Sequence, residues 1–200
     1  MKAMCICLPE NPDQIDRAHE HFTSRGLHDV EFFWGINAVV AGLATSHPYE
    51  RDHPGSGFRM GAKPTGCWLS HWMLWNCMMR MPDEQFLVLE TDAKLADDFG
   101  SRLARAMTAV PSNFDFLHVG HCCLGNHPKK HVADEVWESK HMQCTHAYIV
   151  RRGVLPFLCK TIRKCWAPID IQLQLECFPH LKTYAVVPRI VSQFDTELSP

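Results

Sequence analysis

The sequence is poor in the features that would mark it for a membrane, a secretory route or a polyanion. Its 200 residues carry 20 Lys and Arg against 22 Asp and Glu, a net charge of −2, so no protein-wide basic field draws it to nucleic acid or anionic lipid. Any such contact has to be local. No stretch approaches the roughly 18 consecutive apolar residues of a membrane span. Met1 to Leu8 also meets Pro9 and Glu10 too soon to form a secretory h-region. We therefore expect a soluble protein of the cytoplasm, without a transmembrane segment, whose reducing interior keeps cysteines as thiols. No Cys-x-x-Cys pair, internal repeat or low-complexity tract is present. What the chain does have is 46% hydrophobic residues, enough for a core without disulfide staples, together with 10 Cys and 13 His. These soft, titratable side chains are its compositional oddity.

Along the chain, apolar runs alternate in kind. Ala3 to Leu8 predicts a strand, Asn11-Pro12 a helix cap and first turn, and Ile15, Ala18 and Phe22 the inward face of a helix stopping at Gly26. Val30 to Trp34 predicts a second strand, ending at Gly35. Residues 42 to 66 hold five glycines and three prolines, among them Gly42, Pro54 and Gly66, a density that predicts an irregular loop. A loop of that length predicts a mobile lid that orders over a ligand and excludes water. Trp68, Leu69, Trp72, Trp75, Met78 and Met79 then recur at helical spacing up to Pro82, the pattern of a buried helix face. Phe86 to Leu89 reads as a central strand buried on both faces. Asp97 and Asp98 suit the first turn of a helix carrying Phe99, Leu103, Ala106 and Met107. Phe114 to Val119 and His146 to Val150 predict further strands, and Gly153 to Cys165 a helix. The alternation predicts a single α/β domain over residues 1–200, with a central sheet flanked by helices.

In open α/β sheets ligands gather beyond the carboxyl ends of the strands. Glu90-Thr91-Asp92 stands at such an end, with two carboxylates able to reach one small region. Together with the oxygens of a diphosphate they suit a hard divalent cation, Mn²⁺ or Mg²⁺. Such a cation absorbs the charge that makes a nucleotide diphosphate a poor leaving group. The alternative is a solvated strand terminus or a helix cap.

The company this acidic pair keeps is more specific. Gly66-Cys67-Trp68-Leu69-Ser70-His71 followed by Phe86-Leu87-Val88-Leu89-Glu90-Thr91-Asp92 resembles the core of glycosyltransferase family 25, which contains lipooligosaccharide and procollagen galactosyltransferases. There a Gly-Cys-x-x-Ser-His helix start precedes a strand ending in Glu-Asp-Asp. Further blocks fall in the family's order: the opening strand and helix with Arg17, Trp34 to Ala38, Phe114 to Gly120, Thr145 to Val150, Pro168-Ile169-Asp170, and Pro188 to Gln193. The resemblance implies a GT-A-like fold with a mostly parallel sheet. It also implies transfer of a hexose, galactose or glucose, from a UDP-sugar to an acceptor hydroxyl with inversion, assisted by Mn²⁺ or Mg²⁺ at Glu90 and Asp92. Leu8, Pro9, Arg17, Asn37, Ala38, Gly66, Ser70, His71, Thr91 and Gln193 are then the donor-binding residues. Asp92 and Asp170 are the catalytic ones, Asp170 as the base that takes the acceptor's proton. Thr91 stands where the family's middle acid would be, leaving the metal site one charge short.

Several of these residues have structural readings of equal standing. Asp170 in a first helical turn is a dipole partner on that reading. Ser70 and His71 either face a phosphate or sugar from a helix start, or tie down the preceding glycine-rich loop. Tyr148 and Gln193 either touch sugar or metal-bound water, or are structural hydrogen-bonders. The segment 120–141 predicts a loop rich in His and Cys. Nine soft ligands crowd residues 118 to 146 (His118, His121, Cys122, Cys123, His127, His131, His141, Cys144 and His146), so a zinc-binding module is a rival reading, against a surface loop with buried thiols. Lys129, Lys130, His131, Arg151, Arg152, Lys160, Arg163 and Lys164 leave open a nucleic-acid acceptor such as a modified DNA base, against a solvated helix face. A relative that binds sugar nucleotide without turnover is the non-enzyme alternative.

Overall fold

From its start the chain alternates as the periodicity predicts: β1 (Lys2–Cys7), α1 (Pro12–Ser24), β2 (Val30–Trp34), α2 (Ala62–Met78), β3 (Gln85–Glu90), β4 (Ala93–Leu95), α3 (Phe99–Ala109) and β5 (Phe116–Gly120). A hairpin of β6 (Lys129–Ala133) and β7 (Val136–Ser139) follows, then β8 (Ala147–Arg151), α4 (Leu155–Thr161), α5 (Ile169–Gln172), β9 (Thr183–Val186) and β10 (Val191–Gln193). The computed structural model describes residues 1–43, 60–122 and 129–194. Local chemistry sets the boundaries. Pro12 opens α1, where its missing N–H costs nothing. Gly26 closes it at φ +81, with the Leu27 N–H returning to the Phe22 carbonyl at 2.9 Å.

The ten strands of the described residues form one sheet in the order β2-β1-β3-β8-β5-β9-β7-β6, with β10 beside β5 and β4 beside β10. β1, β2, β3, β5 and β9 share one direction, and β6 and β10 follow it. β8 runs the other way between β3 and β5. This is the expected α/β architecture with one reversed strand at its centre. The reversal brings the amino end of β8, and with it Thr145 and His146, between the carboxyl ends of β3 and β5. Side chains alternate across the sheet into two cores. Leu87, Leu89, Leu117 and Ile149 meet Phe22 of α1 and Phe99 and Leu103 of α3. Phe86, Val88, Phe116 and Tyr148 meet Trp68, Leu74, Trp75 and Met78 of α2 and Leu155 and Leu158 of α4. The tryptophan stripe is thus a buried helix face, each fully buried large side chain contributing roughly 1.5–3 kcal/mol.

Three expectations change. Residues 62–66, read as part of a lid, form the first turn of α2, because Gly61 and Pro64 suit a helix start. Residues 44–59 of that expected lid lie outside the described residues. The segment 120–141, read as a loop, contains the β6–β7 hairpin, turned at Asp134 with φ +46. Its lysines and histidine on an edge strand mask the alternation that marks a strand elsewhere. The helix expected over 153–165 is limited to Leu155–Thr161, since the chain leaves helical geometry at Ile162 and turns so that Ile162, Trp166 and Ile169 are all buried.

Candidate active site

At the carboxyl ends of β1 and β3 a cavity of 580 Å³ opens against the start of α2. Of the residues expected at the donor, Leu8, Asn37, Ala38, Gly66, Ser70, His71 and Thr91 line it, together with Glu90 and Asp92. Two glycines make the docking of α2 so close. A Cβ on Gly66 would stand 2.5 Å from the Ile36 carbonyl, and one on Gly35 2.8 Å from Ser70 Oγ. Ser70 completes this joint, accepting the Ile36 N–H at 2.8 Å and donating to the Gly66 carbonyl at 2.7 Å. Ser70 therefore ties down the loop before α2 while forming part of the cavity wall. Asn37 Oδ1 accepts the N–H groups of Val39 and Val40 and so shapes its own turn. Sequence reasoning missed Asn11, Gln14 and Lys63, which also line the cavity. Lys63 was hidden inside the segment read as a lid, yet it brings a cation to a helix start that has no acidic residue in its first turn.

Glu90 is held by a buried chain of hydrogen bonds. Trp75 Nε1–H donates to the Tyr148 hydroxyl at 2.8 Å, so that hydroxyl turns its own proton to His71 Nδ1 at 2.9 Å. This leaves His71 Nε2–H to donate to Glu90 Oε1 at 3.1 Å, and the Thr145 hydroxyl reaches the same oxygen at 3.2 Å. Burial alone would raise the Glu90 pKa. The hydrogen bond from His71 comes first; with the field of the His71 and His146 rings, which protonate in the acid range where a carboxyl titrates, and the Thr145 bond, it outweighs burial, and the pKa falls below its ordinary value. The carboxylate is thus kept ionised although half-buried. Both ring nitrogens of His71 are spent on this task, so its first role is to hold Glu90. Trp75 and Tyr148 could not be recognised as its partners from spacing alone, because 73 residues separate them.

Asp92 is positioned from the chain's other end. Gln193 Nε2–H donates to Asp92 Oδ2 at 2.7 Å, and the Phe194 N–H donates to the Asp92 carbonyl at 2.9 Å. The Arg17 guanidinium lies 4.8 Å over the Phe194 ring, which places Arg17 as a brace of this segment outside the cavity lining. Pro9 is exposed on a turn, also outside the lining. A second cavity of 170 Å³ adjoins the first, sharing Cys67 and Glu90, and is lined by Asp170 and Gln193. Asp170 Oδ2 accepts the Cys144 N–H at 2.9 Å and Oδ1 the Ile171 N–H at 2.9 Å. A carboxylate offers about four lone-pair sites, so capacity remains toward the cavity. Burial first, then the charges of Glu90, Asp170 and Asp92, push the Cys67 thiol well above its ordinary pKa. It is an inert wall between the two cavities.

The donor set suits a hard divalent cation: the carboxylates of Glu90 and Asp92 and the Thr91 segment line one cavity and offer oxygen. The soft belt is only partly assembled. Cys122 and Cys144 form a disulfide, with Cα atoms 5.8 Å apart, so not every cysteine is the thiol we expected. His146 lies beside them. His121 bonds to the Val186 carbonyl and His131 to that of Asp134. Cys123 and His127 lie outside the described residues. Arg151 and Arg152 stand at the end of β8 that pairs with the start of β3, opposite Glu90, and Lys129, Lys130 and His131 lie on the far edge strand.

With this geometry in view, comparison with known proteins is decisive. The family described as Glycosyltransferase family 25 (LPS biosynthesis protein) matches residues 2–173. The chain belongs to glycosyltransferase family 25. A curated relative, "Glycosyltransferase 25 family member" of Aedes aegypti, is 32% identical over 139 residues, covering 64% of this chain and 22% of that protein. The chain thus matches about a fifth of that relative's length. Among solved structures, a glycosyltransferase involved in glycosylation of the major capsid of PBCV-1 superposes with a TM-score of 0.56 at 10% identity, over 94% of this chain and 81% of that one. That likeness is one of fold. Among the described residues no helix is long and apolar enough to cross a membrane.

Proposed function

We propose that this family 25 glycosyltransferase moves a hexose, galactose or glucose, from a UDP-sugar to an acceptor hydroxyl with inversion, using Mn²⁺ or Mg²⁺. The observation that carries the reading is the pair of cavities meeting at Glu90, with Asp92 on the larger and Asp170 on the smaller. Asp92 and Glu90 would hold the cation, which when bound would neutralise charge on the departing diphosphate. Lys63 and the positive end of the α2 dipole favour the same anion. The hexose then lies toward the smaller cavity, where an acceptor hydroxyl attacks the anomeric carbon from the face opposite the diphosphate. One C–O bond forms as the other breaks, and the hydroxyl proton passes to the Asp170 carboxylate. The Cys144 and Ile171 N–H groups hold that carboxylate in place. His71, Tyr148 and Trp75 keep Glu90 charged, so its negative charge opposes the donor only until a cation arrives.

The test is a screen of UDP-sugars with Mn²⁺ read by released UDP, followed by glycan and modified-DNA acceptors. The expected result is metal-dependent release from UDP-galactose or UDP-glucose, with the product anomer inverted. Tight UDP binding without turnover on any acceptor would instead identify a sugar-nucleotide-binding relative.

A further inference from the structure

The carboxyl end of β5 carries a second cluster that the transfer reaction does not use. Cys122 Sγ, Cys144 Sγ and a ring nitrogen of His146 lie within 4.8 Å of one another. His146 is only 2% exposed. Its Nε2 faces the Val191 carbonyl at 3.4 Å, while Nδ1 is buried with no hydrogen-bond partner among the described residues. An orphaned buried nitrogen costs about 1–3 kcal/mol, and such a group in a folded protein asks for an explanation. Packing makes the imidazole hard to move: a Cβ on Gly120 would stand 2.3 Å from His146 Nε2. Cys144 itself sits at φ +70, a left-handed backbone conformation uncommon for a residue with a side chain. Its N–H holds Asp170 at 2.9 Å.

We propose that Cys122, Cys144 and His146 form a redox-gated site for a soft divalent cation such as Zn²⁺, the disulfide being its oxidised, metal-free state. Where the surroundings are reducing, a disulfide does not persist. Two molecules of a small thiol supply two electrons and two protons and leave as their own disulfide, while the Cys122–Cys144 S–S bond breaks and each sulfur takes a proton. The cation then displaces both thiol protons to solvent and binds two thiolates and the imidazole. Two sulfurs, one nitrogen and an open fourth position are a known zinc donor set. Thiolates at about 2.3 Å from the metal stand about 3.8 Å apart, a separation that Cα atoms 5.8 Å apart accommodate by side-chain rotation. The softness of sulfur selects against the Mn²⁺ or Mg²⁺ suited to Glu90 and Asp92. In both states positions 122 and 144 stay joined, so Cys144 keeps its amide on Asp170 whatever the redox setting. The fourth position opens on the smaller cavity, which Cys144 and His146 line.

The experiment uses the full chain, stripped with a chelator, reduced by a phosphine that leaves as its oxide, and titrated with Co²⁺. Reduced protein is expected to develop a sulfur-to-cobalt charge-transfer absorption that saturates near one equivalent and is abolished by Zn²⁺. Disulfide-bonded protein is expected to show none. Cys122→Ser and Cys144→Ser should each weaken cobalt binding at least about tenfold. Cys67→Ser, which removes the thiol of the separate Cys67, His71 and Glu90 grouping, should leave it unchanged. No absorption from reduced, folded protein overturns the proposal, as does absorption that survives both serine variants or disappears with Cys67→Ser. Should a serine variant fail to fold, zinc protection of Cys122 and Cys144 from alkylation in the unmodified chain gives the same answer. Unprotected thiols at saturating zinc overturn it. None of these readouts involves sugar transfer, so they stand apart from the donor screen.

Discussion

The carboxyl ends of β3 and β5 face the same side of one sheet with only β8 between them, yet they are furnished with opposite chemistry. At β3 the groups are hard: two carboxylates, a threonine and a helix start carrying a lysine. At β5 they are soft: His118, His121, Cys122 and, from the adjoining end of β8, His146. Burial acts on both, and the difference lies in the partners. Glu90 has donors from His71 and Thr145 that more than repay its desolvation, so its charge survives. His118 and His146 are held neutral, because burial disfavours the imidazolium; at His118 the neighbouring His121 and His146 add to the effect. Neutral imidazole is the form that binds metal, whereas an ionised carboxylate is the form that binds a diphosphate's cation.

Variants at the hard end should have the largest effects. Asp92→Ala should lower UDP release by roughly two to three orders of magnitude, with little change in the urea midpoint. Equal loss of stability and turnover would reduce Asp92 to a structural role. Asp170→Asn should lower kcat by about a hundredfold and leave the KM for the donor nearly unchanged. A rise in KM alone would remove the general-base assignment. Tyr148→Phe strips the hydroxyl shared by Trp75 and His71, leaving buried N–H and ring-nitrogen groups unpaired. Urea denaturation should show a loss of about 1–3 kcal/mol.

The smallest effect separates the two ends by pH. The folded-state pKa of His118 lies well below 6.5, so the unfolded chain binds the extra proton first as pH falls. Stability owed to this neutral imidazole is complete above about pH 6.5 and declines below it. The folded-state pKa of Glu90 lies below 4.5, so its contribution is complete above that pH and is lost only as pH falls through the folded value. Hydrogen exchange followed from neutral to acid should loosen β5 before β3, and Glu90→Gln should flatten only the more acidic limb. Simultaneous loosening would mean the two ends do not titrate independently.

Much of the hard end was legible because it is local in sequence. The run Phe86 to Leu89 ending in Glu90 and Asp92, and the Gly66 to His71 helix start, each declare themselves within a few residues. What escaped depends on long-range closure. The reversed β8 places Thr145 against Glu90, β10 delivers Gln193 to Asp92 across 101 positions, and the Tyr148 hydroxyl meets Trp75 and His71 only inside the fold. β4 and β10, at three residues each, are too short to show alternation. The soft belt was visible as composition, but nothing in its spacing said that Cys122, Cys144 and His146, rather than the other six, would converge.

The central claim is that the end of β3 holds a nucleotide diphosphate through a hard cation. It is tested most directly by calorimetric titration of UDP with and without Mn²⁺, in the unmodified chain and in Asp92→Ala. The account predicts that Mn²⁺ tightens UDP binding by about tenfold or more in the unmodified chain and has no effect in Asp92→Ala. UDP affinity indifferent to Mn²⁺, or strengthened equally in both proteins, would contradict it.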